Sequence, residues 1–188
     1  MRPLGLLHVR RATLACEMRR ATRATAAGET ARGAEVMSGD AQRFVEMAES
    51  FCRFMEEAGS LALPERLRRA QELLLALYRE ALDLPDVEPD DDVNVPDDVP
   101  RPEWPGMGEV DGYWEVFDPY KESAPVYASL SDDLLDVYGD VRGGLEIVRA
   151  HGERALPSAI WHWRFTFQTH WGDHAVDALR ALHRAVLR

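Results

Sequence analysis

His170 and His174 stand four residues apart in a stretch of helical character, about 6 Å along a helix axis, which is the spacing at which two imidazoles can meet one metal ion. The second position of that H-x-x-x-H run is Trp171, so the glutamate of a zinc-protease motif is missing and two histidines alone make a weak site. A third or fourth ligand has to come from another element. The stretch after Ser131 offers Asp133, Asp136 and Asp140, which share one helix face at spacings of three and four, so a mixed histidine and carboxylate centre between two helices is one reading. Unliganded acid–base work is a second. The preferred one is that both rings are hydrogen-bonded to carboxylates or main chain, with Asp133, Asp136 and Asp140 forming a solvated acidic face.

Arg164 raises a separate question. On a continuous helical wheel it falls with His174 inside the apolar set Ile160, Trp163, Phe167 and Trp171, with His170 at the edge. A buried guanidinium cannot shed its charge and needs acceptors. Asp118, Asp133, Asp136 and Asp140 are the candidate partners. The preferred reading is an ion pair that docks neighbouring elements; the functional one is that Arg164 grips a carboxylate or phosphate in a pocket walled by Trp161, Trp163, Phe167 and Trp171. The aromatics of this stretch spread around much of the wheel, which reads as a central, widely buried helix. The pairs Glu46/Glu49 and Glu80/Asp83 resemble magnesium-binding spacings but point away from their apolar stripes.

The elements that position these groups read as helices. Phe44, Ala48, Phe51 and Met55 form the stripe of a first helix, with Asp40 as its N-cap and Gly59 as its stop. Leu67, Ala70, Leu74, Leu77 and Ala81 form a second, with Pro64 near its start and Pro85 beyond its end. A third begins near Ser129 or Ser131 and carries Leu134, Tyr138, Val141, Leu145 and Val148, weakened by Gly139, Gly143 and Gly144. A fourth starts at Pro157 and runs toward the end of the chain, with Gly172 a place for a kink. The expected fold is an all-α, single-domain bundle of about four helices over residues 37–188.

Charge divides the 188 residues unevenly. Residues 1–36 hold seven Arg against three Glu, and the remainder of the chain is strongly acidic, giving −11 overall. Residues 1–36 are expected to be a basic extension, dispensable or mis-assigned, with Met37 as the natural start. Residues 83–118 carry 13 carboxylates, six prolines and a single cation, Arg101, so an extended, solvated connection is expected over about 83–112. Tyr113, Trp114, Phe117 and Tyr120 then follow as an irregular aromatic strap that packs on the bundle. The longest apolar run, Leu73 to Tyr78, is far short of the roughly 20 residues that cross a bilayer. The acidic body disfavours nucleic acid and anionic membrane surfaces as partners. Cys52 is the only cysteine of the body, which suits a reducing cytoplasm.

The stretch W-E-V-F-D-P-Y from Trp114, the run Ser129 to Val141, and W-H-W-R-F-T-F-Q-T-H-W-G-D-H-A from Trp161 resemble a group of small bacterial, all-helical proteins classed only as a domain of unknown function. The resemblance covers about residues 40–183 and implies no activity. No complete catalytic set can be assembled from the residue types alone. The expectation is therefore a soluble bacterial binding or interaction protein without catalysis or cofactor, its acidic segment suited to a basic protein partner. The alternatives are a hydrolase-like enzyme dependent on a divalent metal at the histidines, or a binder of small anions through Arg164. Deleting residues 1–36 is expected to leave the melting temperature unchanged in a thermal unfolding scan; a fall of several degrees would show that the segment packs on the body.

Overall fold

The computed structural model describes residues 30–187 apart from 91, 97, 98, 100 and 117, and side chains from residue 39 onward. The expectations for residues 1–29 and Phe117 lie outside the described residues. The compact unit that holds the core spans Met37–Arg188.

Four helical stretches build it, as the apolar spacing predicts. Helix α1 (Thr30–Glu57) buries Phe44, Ala48, Phe51 and Met55 and ends in a 3-10 turn at Ala58–Ser60 that contains Gly59. Asp40 is not its N-cap. The helix is already formed ten residues earlier, and Asp40 instead pairs along it with Arg43, whose Nε reaches Glu80 at 3.2 Å. Helix α2 (Leu63–Ala81) opens on Pro64, whose missing N–H costs nothing in a first turn, and buries Leu67, Ala70, Leu74 and Leu77.

Helix α3 (Leu130–His151) starts at the Ser129 N-cap, whose hydroxyl accepts the Asp132 N–H at 3.2 Å. Asp111 supports the same helix end by accepting the Ser131 N–H at 3.0 Å. The buried face of α3 runs through Leu134, Val137, Tyr138, Val141, Gly144 and Ile147, while Leu145 and Val148 are only half-buried. Gly144 belongs to that face for a steric reason. A Cβ there would lie 2.1 Å from Nε1 of Trp163, and the Trp163 indole N–H donates to the Val141 carbonyl at 2.8 Å. The glycine therefore lets one of the two buried tryptophans lie close against the α3 backbone.

The last stretch is interrupted. Helix α4 (Leu156–Thr166) passes through a π-helical turn at Phe167–Trp171 into helix α5 (Gly172–Val186). A Cβ on Gly172 would meet the Phe167 carbonyl oxygen at 2.2 Å, so glycine is what the wide turn admits where it closes. Trp163 and Trp171 are fully buried with Phe44, at ring-centroid distances of 5.0 and 6.4 Å from it.

The acidic connection lies along the bundle and is tied down. Met107 and Leu84 enter the core, the Asp90 N–H donates to Ser158 at 2.9 Å, and Arg66 donates to the carbonyls of Leu61 at 3.0 Å and Pro105 at 3.1 Å. Arg66, only 7% exposed, is thus the buried guanidinium among the described residues, held by main-chain oxygens rather than by a carboxylate.

The aromatic strap is ordered as a hairpin. Strand β1 (Gly112–Glu115) pairs antiparallel with β2 (Val126–Ser129), with Trp114 opposite Tyr127, and β2 runs straight into α3. The expectation of an irregular strap that buries its rings is corrected here. Strand alternation turns Tyr113 and Glu115 toward α3 and leaves Trp114 66% exposed, while Tyr120 is 96% exposed. Replacing Gly144 by Ala is expected to lower stability by about 1–3 kcal/mol in urea unfolding, because the indole must move off the α3 backbone; an unchanged midpoint would show that the contact is not tight.

Candidate metal centre

The acidic face of α3 and the end of the π turn meet. Asp140 Oδ2 lies 2.6 Å from His170 Nδ1, and Asp133 Oδ1 lies 2.8 Å from His174 Nδ1. Both rings are thereby held by the same nitrogen, which leaves Nε2 of each to meet another group. The His174 Nε2 is 3.7 Å from Asp136 Oδ2, and the two rings stand edge to face with centroids 4.8 Å apart. One donor atom from each of Asp136, His170 and His174 can be chosen so that all three lie within 4.8 Å of one another. All three residues are half-buried, so the cluster is open to water on one side.

The helix geometry explains the division of labour. Asp133, Asp136 and Asp140 follow one another along α3 at spacings of three and four, so they form a row that the two histidines can face. The row is not the solvated face expected of it, since Asp133 is buried and the other two are half-buried against the histidines. The outer two carboxylates each take one imidazole, and the middle one is left beside the free ring edges. His170 lies inside the π turn and His174 in the first turn of α5. Wide turns of this kind recur at functional sites.

A layer of residues behind these pairs comes from the hairpin. The Tyr113 hydroxyl donates to Asp133 Oδ2 and also lies 3.1 Å from Glu115 Oε2. Burial and the hydrogen bond to Asp133 push the Tyr113 hydroxyl well above its ordinary pKa, so it stays a donor. Asp177 on α5 faces Glu115; burial, and then the Glu115 charge, push its carboxyl up to about 6. The hydrogen bond to Asp133 raises His174 above its ordinary 6.5 and outweighs burial, which acts in the opposite direction. On the outer side Arg101, the one cation of the acidic connection, approaches Asp136 at 3.8 Å.

The family model described as a domain of unknown function (DUF5063) matches residues 35–188. The chain belongs to this family. A crystal structure of a Bacteroides fragilis protein, determined by a structural genomics consortium, is similar to the DUF5063 chain with a TM-score of 0.64 at 23% identity. The match covers 78% of this chain and 91% of that one, a likeness of fold. No curated protein matches the chain.

Within this DUF5063 fold the residues that sequence singles out separate into two groups. His170, His174, Asp133, Asp136 and Asp140 are brought together. Trp163 and Trp171 meet in the core, where the Trp171 indole N–H donates to the Trp163 carbonyl at 3.2 Å, while Arg164 and Asp118 each pair elsewhere. Arg164 is 32% exposed at its side chain and pairs at 2.7 Å with Asp86 of the acidic connection, itself 60% exposed. Asp118 pairs with Lys121 at 2.7 Å in the hairpin turn. Trp163 and Trp171 are packed in the core, and Trp161 is half-buried and stacked on Phe165 at 5.0 Å. Two of the walls expected around Arg164, Trp163 and Trp171, are thus fully buried, and the guanidinium faces the acidic connection. A continuous wheel misses this because of the π turn: each of its residues advances by less than the 100° of an α-helix, so a single wheel misplaces the α5 side chains relative to those of α4.

Tyr113, Glu115, Asp177 and Arg101 are not legible as site residues in the sequence. The signal available for the first two is the Y-x-E alternation of a strand, and for Asp177 its position three after His174. In metal-free protein the Asp133→Asn variant is expected to bring the His174 titration down toward 6.5, read by NMR of the ring protons. Because folding raises the His174 pKa, the stabilisation by Asp133 is fully present below pH 6.5 and is lost as pH rises through the folded value. The stability gap between wild type and variant should therefore narrow on the alkaline side; a gap that widens there would contradict the pairing.

Proposed function

We propose that this protein binds one divalent transition-metal ion through His170, His174 and Asp136. The observation that carries the reading is the orientation of the two imidazoles. Each is held through Nδ1 by a carboxylate of α3, Asp140 for His170 and Asp133 for His174. Carboxylate support on the far ring nitrogen fixes the tautomer and raises the basicity of the ligating one, and support of this kind accompanies metal-bound histidine almost invariably. The Asp133 support is itself anchored by Tyr113.

The donor set selects the class of ion. Two imidazoles with one carboxylate suit zinc, iron or manganese rather than calcium or magnesium. The present spread of 4.8 Å is wider than two donors each about 2.1 Å from one ion permit, so the half-exposed side chains have to close by about 1 Å around it. Three protein ligands leave at least one position for water, and an ion held in this way supplies Lewis acidity to whatever takes that position.

The acidic connection supports a partner-binding role less well. Its described residues are fastened to the bundle through Arg66, Ser158, Arg164 and Arg101, so its backbone lies along the helices instead of reaching out as a free arm. Elemental analysis of protein purified without a histidine tag is expected to find close to one equivalent of zinc, iron or manganese. The metal should be lost in both His174→Ala and Asp136→Ala. Near-zero metal after incubation with zinc and dialysis would overturn the reading.

A further inference from the structure

Helix α5 carries a second polar cluster, beside the hairpin strand that holds Tyr113. Arg180 and Arg184 are both exposed, stand four apart on one helix face, and line a groove of about 310 Å³ between α5 and the hairpin. Val110, Trp114, Ala181 and Ala185 supply its apolar wall. Among the exposed arginines Arg43, Arg79, Arg101 and Arg149 pair with a carboxylate, while Arg53, Arg68, Arg69 and Arg154 have no ion pair among the described residues; Arg180 and Arg184 are set apart by lining one groove with Trp114. Neither Arg180 nor Arg184 has an ion-pair partner among the described residues. Arg180 donates instead to the Trp114 carbonyl at 3.0 Å, which uses one of its five N–H groups. Asp177 is near enough to feel the Arg180 charge, but its own carboxyl is turned to Glu115 and pushed up by burial.

The second observation is the cost left on the hairpin. Trp114 is 66% and Tyr127 69% exposed, and the two rings stand edge to face with centroids 5.4 Å apart. A tryptophan left mostly in water forfeits much of the roughly 150–250 Å² of burial such a ring can gain. Two guanidinium groups beside an exposed indole offer complements to the two halves of an organic anion, its charged group and its apolar body.

We infer that the groove between α5 and β1 binds a small organic anion, an apolar or aromatic group bearing one phosphate or carboxylate, with the anion on Arg180 and Arg184 and the apolar part against Trp114. The inference does not rest on the metal reading. The geometry accommodates it: guanidinium groups at this spacing can share one oxyanion, and about 310 Å³ is at the lower end of the volumes that hold small ligands.

Phenyl phosphate and inorganic phosphate serve as probes on full-length, chelator-treated protein, with binding read by calorimetry and by the shift of the Trp114 indole N–H in NMR. Phenyl phosphate should bind saturably at one site, about tenfold more tightly than inorganic phosphate, since only the former has a ring for Trp114. The Arg180→Ala/Arg184→Ala protein should bind it at least about tenfold more weakly. Both arginines are exposed, so this variant is expected to melt with the wild type. His174→Ala should bind phenyl phosphate as the wild type does. Absence of saturable binding, equal affinity in the double variant, or loss of binding in His174→Ala would each overturn the inference, the last by moving the anion to the histidines. Loss of metal binding alone would leave it standing.

Discussion

The close approach of α4 to α3, made by Trp163 lying on Gly144, is the constraint on which the rest of the molecule depends. The indole can reach the Val141 carbonyl only because position 144 has no side chain. That contact holds the two helices in one register, and the register decides which α3 side chains face the π turn. The same neighbourhood seats His162 Nε2 3.0 Å from the Asp140 carbonyl, one residue before Val141. Main-chain acceptors of α3 are thus read by α4, while the carboxylates of the same turns are read by the π turn and α5. Packing and polar pairing share one interface, and each limits how far the other can slip.

Carboxylates in a row repel, and α3 carries three of them in a protein already at −11. The structure relieves the repulsion locally. Asp133 and Asp140 accept from imidazoles, Asp133 accepts again from Tyr113, and Asp136 has Arg101 nearby. The middle carboxylate is the least committed, since its closest cation stands at 3.8 Å and its closest imidazole nitrogen at 3.7 Å. A row in which the two ends are spent on orientation and the centre is held weakly is what a divalent ion can exploit. It is also what makes the row tolerable when no ion is present.

How much of this can be read from the residues depends on the range of the interaction. The stripes of α1 and α2 are local, period 3.6 patterns, and the buried residues follow them. The five residues of the histidine cluster are also visible, because the spacing on α3 and the H-x-x-x-H run are both local. Arg164 defeats the wheel because the buried face of α4 itself, Ala159, Ile160, Trp163 and Thr166, leaves it at the edge, whereas a wheel continued through the π turn centres the apolar face on residues beyond that turn. The buried guanidinium among the described residues, Arg66, gives no signal, since its acceptors include carbonyls of a loop some 40 residues away, and main-chain acceptors have no sequence signature. Asp111, which accepts from the Ser129 hydroxyl and from the Ser131 hydroxyl and N–H, is hidden because these partners stand about 20 residues downstream and no local pattern marks the pairing.

The hairpin shows what period two does that a helical reading cannot anticipate. Along β1, Tyr113 and Glu115 turn inward to Asp133 and Asp177, while Gly112 and Trp114 take the opposite face. A Cβ at Gly112 would run into the Tyr127 hydroxyl at 1.7 Å, so the glycine is what lets Tyr127 cross over the strand toward Trp114. Four consecutive residues therefore serve two polar clusters at once. The inward pair sets the support behind His174, and Gly112 and Trp114, together with Tyr113, line the groove beside Arg180 and Arg184. Any displacement of β1 that alters one cluster must be felt by the other, because a strand cannot shift its inner side chains without carrying its outer ones.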